Sequence, residues 1–278
     1  MLLSLVAILI LFTILWGVSV SLRNSSIVDI WWGPGILLIG LIYYFTSDGY
    51  PLRAQLTLAL LAIWAIRLAA HVGARNIGNG EDYRYEKMRE EREDTWWWYS
   101  YVTVFLPHAL IAWVVSLPLY FAIVSLVPAQ LNTFDSLGVM LIVIGLFFEI
   151  VSDEHLRRFR SVPGSDTRVL DTGLWRYSRH PNYFGEAIVW WGFGMIGVAT
   201  GGVPGLIGPA IMTFLLVRVT GVPLLESAMV ETKPGYADYA ARTSVFIPMP
   251  PVPRTATPPA PAVPQPRRPK ASDRLRRK

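Results

Sequence analysis

The chain has 278 residues, of which 53% are hydrophobic, with no cysteine and a formal net charge of +5. The lack of cysteine excludes disulfides, thiolate nucleophiles and Cys-based zinc or iron–sulfur sites. Apolar runs recur along most of the length, beyond what a soluble core needs, so the predicted fold is all-α, a polytopic membrane bundle of about seven transmembrane helices.

In chain order, residues 1–22, 30–46, 54–72, 99–126 and 135–152 are long enough to span. The apolar stretch from about 185 to 220 is broken at Gly201-Gly202-Val203-Pro204-Gly205 and yields two more spans, the second short. Residues 1–22 lack a basic leader and are followed by Arg23, which predicts an uncleaved first span with its N-terminus outside. Threading seven spans from there puts the loops 23–29, 73–98 and 153–184, together with the C-terminus, on one side. That side holds a dozen arginines and lysines, among them Arg75, Arg84, Arg160 and Arg179, whereas the opposite loops hold only Arg53. The positive-inside rule makes the arginine-rich side cytoplasmic.

Residues 252–278 form a Pro-rich basic tail. From 249 onward there are eight Arg and Lys against one Asp, which leaves the rest of the chain at a net −2. Such a segment cannot bury enough apolar surface to fold, so it is expected to be disordered and to touch anionic lipid. No nucleic-acid partner is expected, since the charges sit on a tail without a folded reader. Sequence does not give the oligomeric state.

Ionisable residues inside spans are costly and mark candidate sites. Arg67, His71 and Arg75 recur every four residues on one stripe of the third helix. Glu149, Asp153 and Arg160 share a face of the fifth. Arg179, His180, Asn182, Tyr183 and Glu186 crowd the entrance to the sixth, with Pro181 placed as its first residue. Arg218 interrupts the seventh. Simpler roles exist for single members: Arg67 and Arg218 snorkelling to headgroups, Arg157 pairing with Asp153, His71 packing, and Trp96, Trp97 and Trp98 anchoring at the interface. The four histidines have no metal-binding spacing, so no metal is expected. Several guanidiniums with nearby Asp and Asn suit a bulky phosphorylated cofactor. No GxGxxG follows a strand and no P-loop occurs, so that cofactor would lie among membrane helices.

The segment GLWRYSRHPNYFGE at 173–186, followed by WWG, resembles the membrane reductases of the steroid 5α-reductase and sterol C14-reductase superfamily. It resembles most the bacterial 5α-reductase-like branch, and isoprenylcysteine methyltransferases share a related RHPxY element. NSSIVDIWWG at 24–33, EDYRYEKMR at 81–89, TGVPLLE at 220–226 and YADYAARTSVFIPMPP at 236–251 resemble the same branch. The resemblance implies that residues 1–251 form a membrane reductase-like domain holding NADPH in a cytosol-facing cavity, in a bacterial inner membrane. It implies NADPH-dependent reduction of an activated C=C in a lipophilic substrate that enters from the bilayer. Asp153, Arg160, Arg168, Asn182, Glu186 and Arg218 match cofactor positions in that pattern, and Arg67, His71, Arg75, Arg179 and His180 fall beside them. The resemblance puts the acid of the second helix near Asp29, and Trp64 falls nearest the position where the pattern places a tyrosine. Tyr83 and Tyr183 are the phenols in reach, so Asp29, Tyr83 and Tyr183 are the catalytic candidates. Two other readings remain: an S-adenosylmethionine-dependent membrane methyltransferase, and a non-enzymatic lipid-binding membrane protein.

Overall fold

A computed structural model describes residues 1–253 of the chain; the predicted basic tail lies almost wholly outside the described residues. All described elements are helical: α1 (Leu2–Leu22), α2 (Ile27–Phe45), α3 (Pro51–Asn76), α4 (Tyr83–Arg92), α5 (Trp96–Ser100), α6 (Leu106–Val115), α7 (Leu117–Val124), α8 (Thr133–Arg160), α9 (Pro181–Val198), α10 (Ile207–Phe214), α11 (Val222–Thr232) and α12 (Tyr236–Arg242). Two π-helical turns, Tyr101–Phe105 and Leu215–Val219, join α5 to α6 and α10 to the bend before α11.

Six described helical stretches are long and apolar enough to cross a membrane, rather than the expected seven. They are α1, α2, α3, the run Tyr83–Val115, α8 and the run Val203–Thr232. The helix missing from this set is α9. It starts with Pro181, Asn182 and Tyr183 and carries Glu186, so its first turns are polar, and most of the rest is buried against other helices. Its neighbours, not lipid, cover it. The fourth predicted span, 99–126, is also redrawn. Helix begins earlier, at Tyr83, breaks at Glu93 with a left-handed φ of 40°, and bends again at Ser116, ahead of Pro118 in α7.

Helix α1 is the least buried of these stretches: it presents Leu2, Leu3, Ile10 and Ile14 outward and packs Ile8 and Phe12 against Gly35 of α2. The tightest contact is between α8 and α9. Without a hydrophobic drive between helices in lipid, close approach depends on small residues. Here Gly138 and Gly145 on α8 face Gly192 and Gly185 on α9. A Cβ at Gly145 would lie 2.6 Å from the Gly185 carbonyl oxygen, and one at Gly185 would lie 2.9 Å from Glu149 Cγ. Those glycines set the distance between the two helices that carry most of the predicted site.

One end of the bundle is closed by a buried ion pair. Arg53, fully buried, donates to Asp135 Oδ1 at 2.8 Å and Oδ2 at 3.0 Å, and to the carbonyls of Pro128 and Gln130. Asp135 also accepts from the Asn132 backbone N–H, completing the capping box that starts α8. The opposite end gathers the C-termini of α3 and α8, the N-termini of α2 and α9, and α4.

Candidate functional site

Between those gathered ends lies a cavity of about 710 Å³, within the range of cofactor sites. Of the predicted residues, Asp29, Arg67, His71, Arg75, Tyr83, Asp153, Arg160, Arg179, His180, Asn182, Tyr183 and Glu186 line it. Arg168 and Arg218 do not. Arg168 is exposed at the rim, its guanidinium 5.8 Å from the Phe159 ring and its carbonyl accepting from Lys233 at 2.8 Å. Arg218 is exposed within the second π-helical turn, where Leu215 and Leu216 take the cavity wall instead.

The deep end is rich in carboxylates. Arg67 Nη1 donates to Asp153 Oδ2 at 2.8 Å, and Arg67 Nη2 lies 2.5 Å from Glu149 Oε2. Asn182 Nδ2 donates to Asp153 Oδ1 at 3.2 Å, and His71 Nδ1 is 3.6 Å from Asp153. Glu186 accepts two indole N–H bonds, from Trp64 at 3.1 Å and Trp190 at 3.0 Å. Trp64, at the position where the resemblance expects a tyrosine, therefore acts as a donor to Glu186. Buried polar atoms remain unsatisfied around the cavity: Arg67 Nε, Arg179 Nε and both carboxyl oxygens of Glu149 lack a directed hydrogen bond. Arg157, considered for Asp153, pairs instead with Glu154 at 2.7 Å on the exposed side of α8.

The second wall comes from α2, α4 and α6. Asp29 accepts from Arg84 Nη2 at 2.7 Å and from the Tyr85 hydroxyl at 2.8 Å, with His108 Nε2 at 4.0 Å. Asp29 sits in the first turn of α2, but its carboxylate serves these side chains and does not cap the helix. Arg84, Tyr85 and His108 escaped the sequence reading. The break at Glu93 folds α4 back over α2, and no glycine marks that position. Tyr83 is half exposed at the edge, whereas Tyr85 is buried. Outside the spans, burial pulls the Asp82 carboxyl upward, but hydrogen bonds from Arg84 outweigh it and hold Asp82 below its usual range.

The third wall, at the mouth, comes from the loop before α9 and from α11 and α12. Glu226 forms an ion pair with Arg179 at 3.2 Å and meets His180 Nε2 at 3.1 Å, while the His180 and Tyr183 rings stack 5.6 Å apart. Burial, then Glu226, pushes the Tyr236 phenol up to about 12. Arg75, Arg160 and Lys233 crowd this mouth. Arg75 has one carboxylate near it, Asp82 at 3.8 Å, and burial and then Arg160 push the Lys233 ammonium below its usual range. The cavity is thus cationic at the mouth and carboxylate-rich at depth.

A second, shallower groove of about 380 Å³ runs outside α3 and α8. It shares Arg67, His71 and Asp153 with the main cavity, so the wall between the two is one layer of side chains.

The chain is 28% identical to an uncharacterized protein of Schizosaccharomyces pombe over 269 residues, covering 86% of this chain and 77% of that protein. No solved structure matches it. Residues 15–243, which include every cavity residue placed above, match the family described as "Protein of unknown function (DUF1295)", and the chain belongs to that family.

Proposed function

We propose that the protein is an NADPH-dependent reductase of an activated C=C bond in a lipophilic substrate, with the cavity open to the cytoplasm. The observation that carries this reading is the charge gradient of one enclosed space. Its mouth presents Arg75, Arg160 and Lys233, and its depth presents Asp153, Asn182 and Glu186 beside apolar walls such as Met212 and Leu216. A dinucleotide phosphate has the same gradient, polyanionic at one end and an amide-bearing ring at the other. Phosphate oxygens suit the crowded cations at the mouth. The unsatisfied Arg67 Nε and Arg179 Nε are donors without a protein acceptor, and a ribose or phosphate oxygen would complete them. When bound, the reduced nicotinamide supplies a hydride.

The residues of the chain supply the rest. Asn182, fixed by Asp153, orients an amide. Tyr85 and Asp29 form a hydrogen-bonded acid pair on the facing wall, within reach of a carbonyl held in the cavity. The thin wall between α3 and α8, latched by Arg67 and Asp153, is the route for a lipid-borne substrate. An S-adenosylmethionine site has one observation in its favour: the carboxylates at depth also suit a sulfonium. The phosphate-type mouth favours the dinucleotide.

Purified protein in lipid, supplied with NADPH deuterated at the transferable hydrogen and a lipophilic enone, tests the reaction. Deuterium recovered on the β-carbon of the saturated product supports it. A methylated lipid formed from labelled S-adenosylmethionine, with no deuterium transfer, contradicts it.

A further inference from the structure

We propose that the shallow groove outside α3 and α8 is a binding site for an anionic phospholipid of the surrounding membrane. Arg157 and Arg158 hold its phosphate, and its acyl chain runs along the outer stripe of α8. The groove measures about 380 Å³, and none of the mouth cations Arg75, Arg160 and Lys233 lines it. It is therefore separate from the phosphate-type mouth of the main cavity, and the proposal stands whichever reaction that cavity performs.

Residues that recur every three or four positions share one face of a helix. On the outer face of α8, Met140, Val143, Phe147 and Ile150 are all exposed, and one turn later the face changes to Glu154, Arg157 and Arg158. On α3 the exposed Ile63 precedes Arg67 and His71 at the same spacing. An exposed apolar stripe on a helix long enough to span meets hydrocarbon. Its change to guanidiniums marks the headgroup level, where long basic side chains reach lipid phosphate. Ile150 lines the groove together with Arg157 and Arg158, so the apolar stripe runs into the charged site.

The two guanidiniums are also arranged. Glu154 accepts from Arg157 Nε at 2.7 Å and Nη2 at 2.8 Å, and from Arg158 Nε. One carboxylate thus holds both arginines side by side by their Nε edges. Among the described residues, Arg157 Nη1 and both Nη groups of Arg158 make no hydrogen bond. A phosphate accepts from such forks in parallel pairs. Two arginines against one glutamate leave a net positive charge, which an anionic headgroup balances. The wall behind is the Arg67–Asp153 pair shared with the main cavity, so the bound lipid sits beside the proposed substrate entrance.

Lipid retention by the detergent-purified protein, read by native mass spectrometry, tests the site. Phosphatidylglycerol and phosphatidylcholine with the same acyl chains would be titrated separately. Wild type is expected to bind phosphatidylglycerol about tenfold or more tightly than phosphatidylcholine. Replacing both arginines, Arg157→Gln with Arg158→Gln, removes that preference, while Lys87→Gln, exposed on α4 and outside the groove, keeps it. Equal binding of the two lipids by wild type, a preference that survives the double substitution, or one lost equally in Lys87→Gln overturns the proposal. Displacement of phosphatidylglycerol by excess inorganic phosphate makes the groove a site for free phosphate and overturns it too. The Glu154 pairs are screened by solvent, so the double variant should fold. Should it not, Arg158→Gln alone must lower phosphatidylglycerol affinity several-fold, and an unchanged affinity overturns the proposal equally.

Discussion

Two arginines, Arg53 fully buried and Arg67 partly buried, mark opposite ends of this bundle, and they are used in opposite ways. Arg53 spends its donors on Asp135 and two carbonyls, and Asp135 is in turn fixed by the start of α8. Arg67 divides one charge between Glu149 and Asp153, leaves its own Nε without an acceptor and leaves Glu149 without a directed donor. A fully satisfied buried pair is scaffold. A buried cluster with spare hydrogen-bonding capacity, facing a cavity, is arranged for something that comes and goes.

Breaking the scaffold end has the largest expected effect. Asp135→Ala leaves Arg53 charged and unpaired, and costs about 3–5 kcal/mol. Thermal unfolding in detergent should show this, with unchanged cofactor affinity in whatever fraction folds. Next comes the α8–α9 contact. Gly145→Ala puts a methyl against the Gly185 carbonyl and costs about 1–3 kcal/mol. Because Glu149, Asp153, Asn182 and Glu186 ride on those helices, NADPH affinity should fall along with stability.

The site end should behave differently. Arg160→Ala removes a mouth cation with no paired carboxylate and should weaken NADPH binding about tenfold or more, as read by titrating the fluorescence of the bound cofactor. Arg218→Ala, outside the cavity, should leave that titration unchanged. The smallest effect belongs to Arg157→Ala. Its pair with Glu154 joins an exposed guanidinium to a partly exposed carboxylate, so unfolding and binding should match wild type.

Much of this contrast was legible in the sequence. Charges placed at membrane depth with helical spacing brought Arg67, His71, Asp153, Asn182 and Glu186 together, because a helix fixes which residues share a face. The one-sided loops foretold that the α3, α8 and α9 ends would meet. The Asp29–Tyr85–Arg84 group was not legible. It depends on α4 turning back at Glu93, a residue type that does not announce a left-handed φ. That Arg218 lies outside the cavity lining was not legible for a similar reason. The π-helical turn at Leu215–Val219 changes which residues face inward, and no helical-period argument includes it. Both π-helical turns supply cavity wall, through Thr103 and Val104 in one and Leu215 and Leu216 in the other.

The most direct test of the central claim, that this cavity is a nicotinamide dinucleotide site, is ligand-dependent thermal stabilisation of the detergent-purified protein. NADPH, NADH and S-adenosylmethionine would be compared on wild type, Arg160→Ala and Arg218→Ala. A ligand that binds only the folded state adds about 2.7 kcal/mol at a hundred times its dissociation constant. The account predicts stabilisation by NADPH that is reduced in Arg160→Ala and retained in Arg218→Ala. Stabilisation by S-adenosylmethionine alone, or by no nucleotide at all, would contradict it.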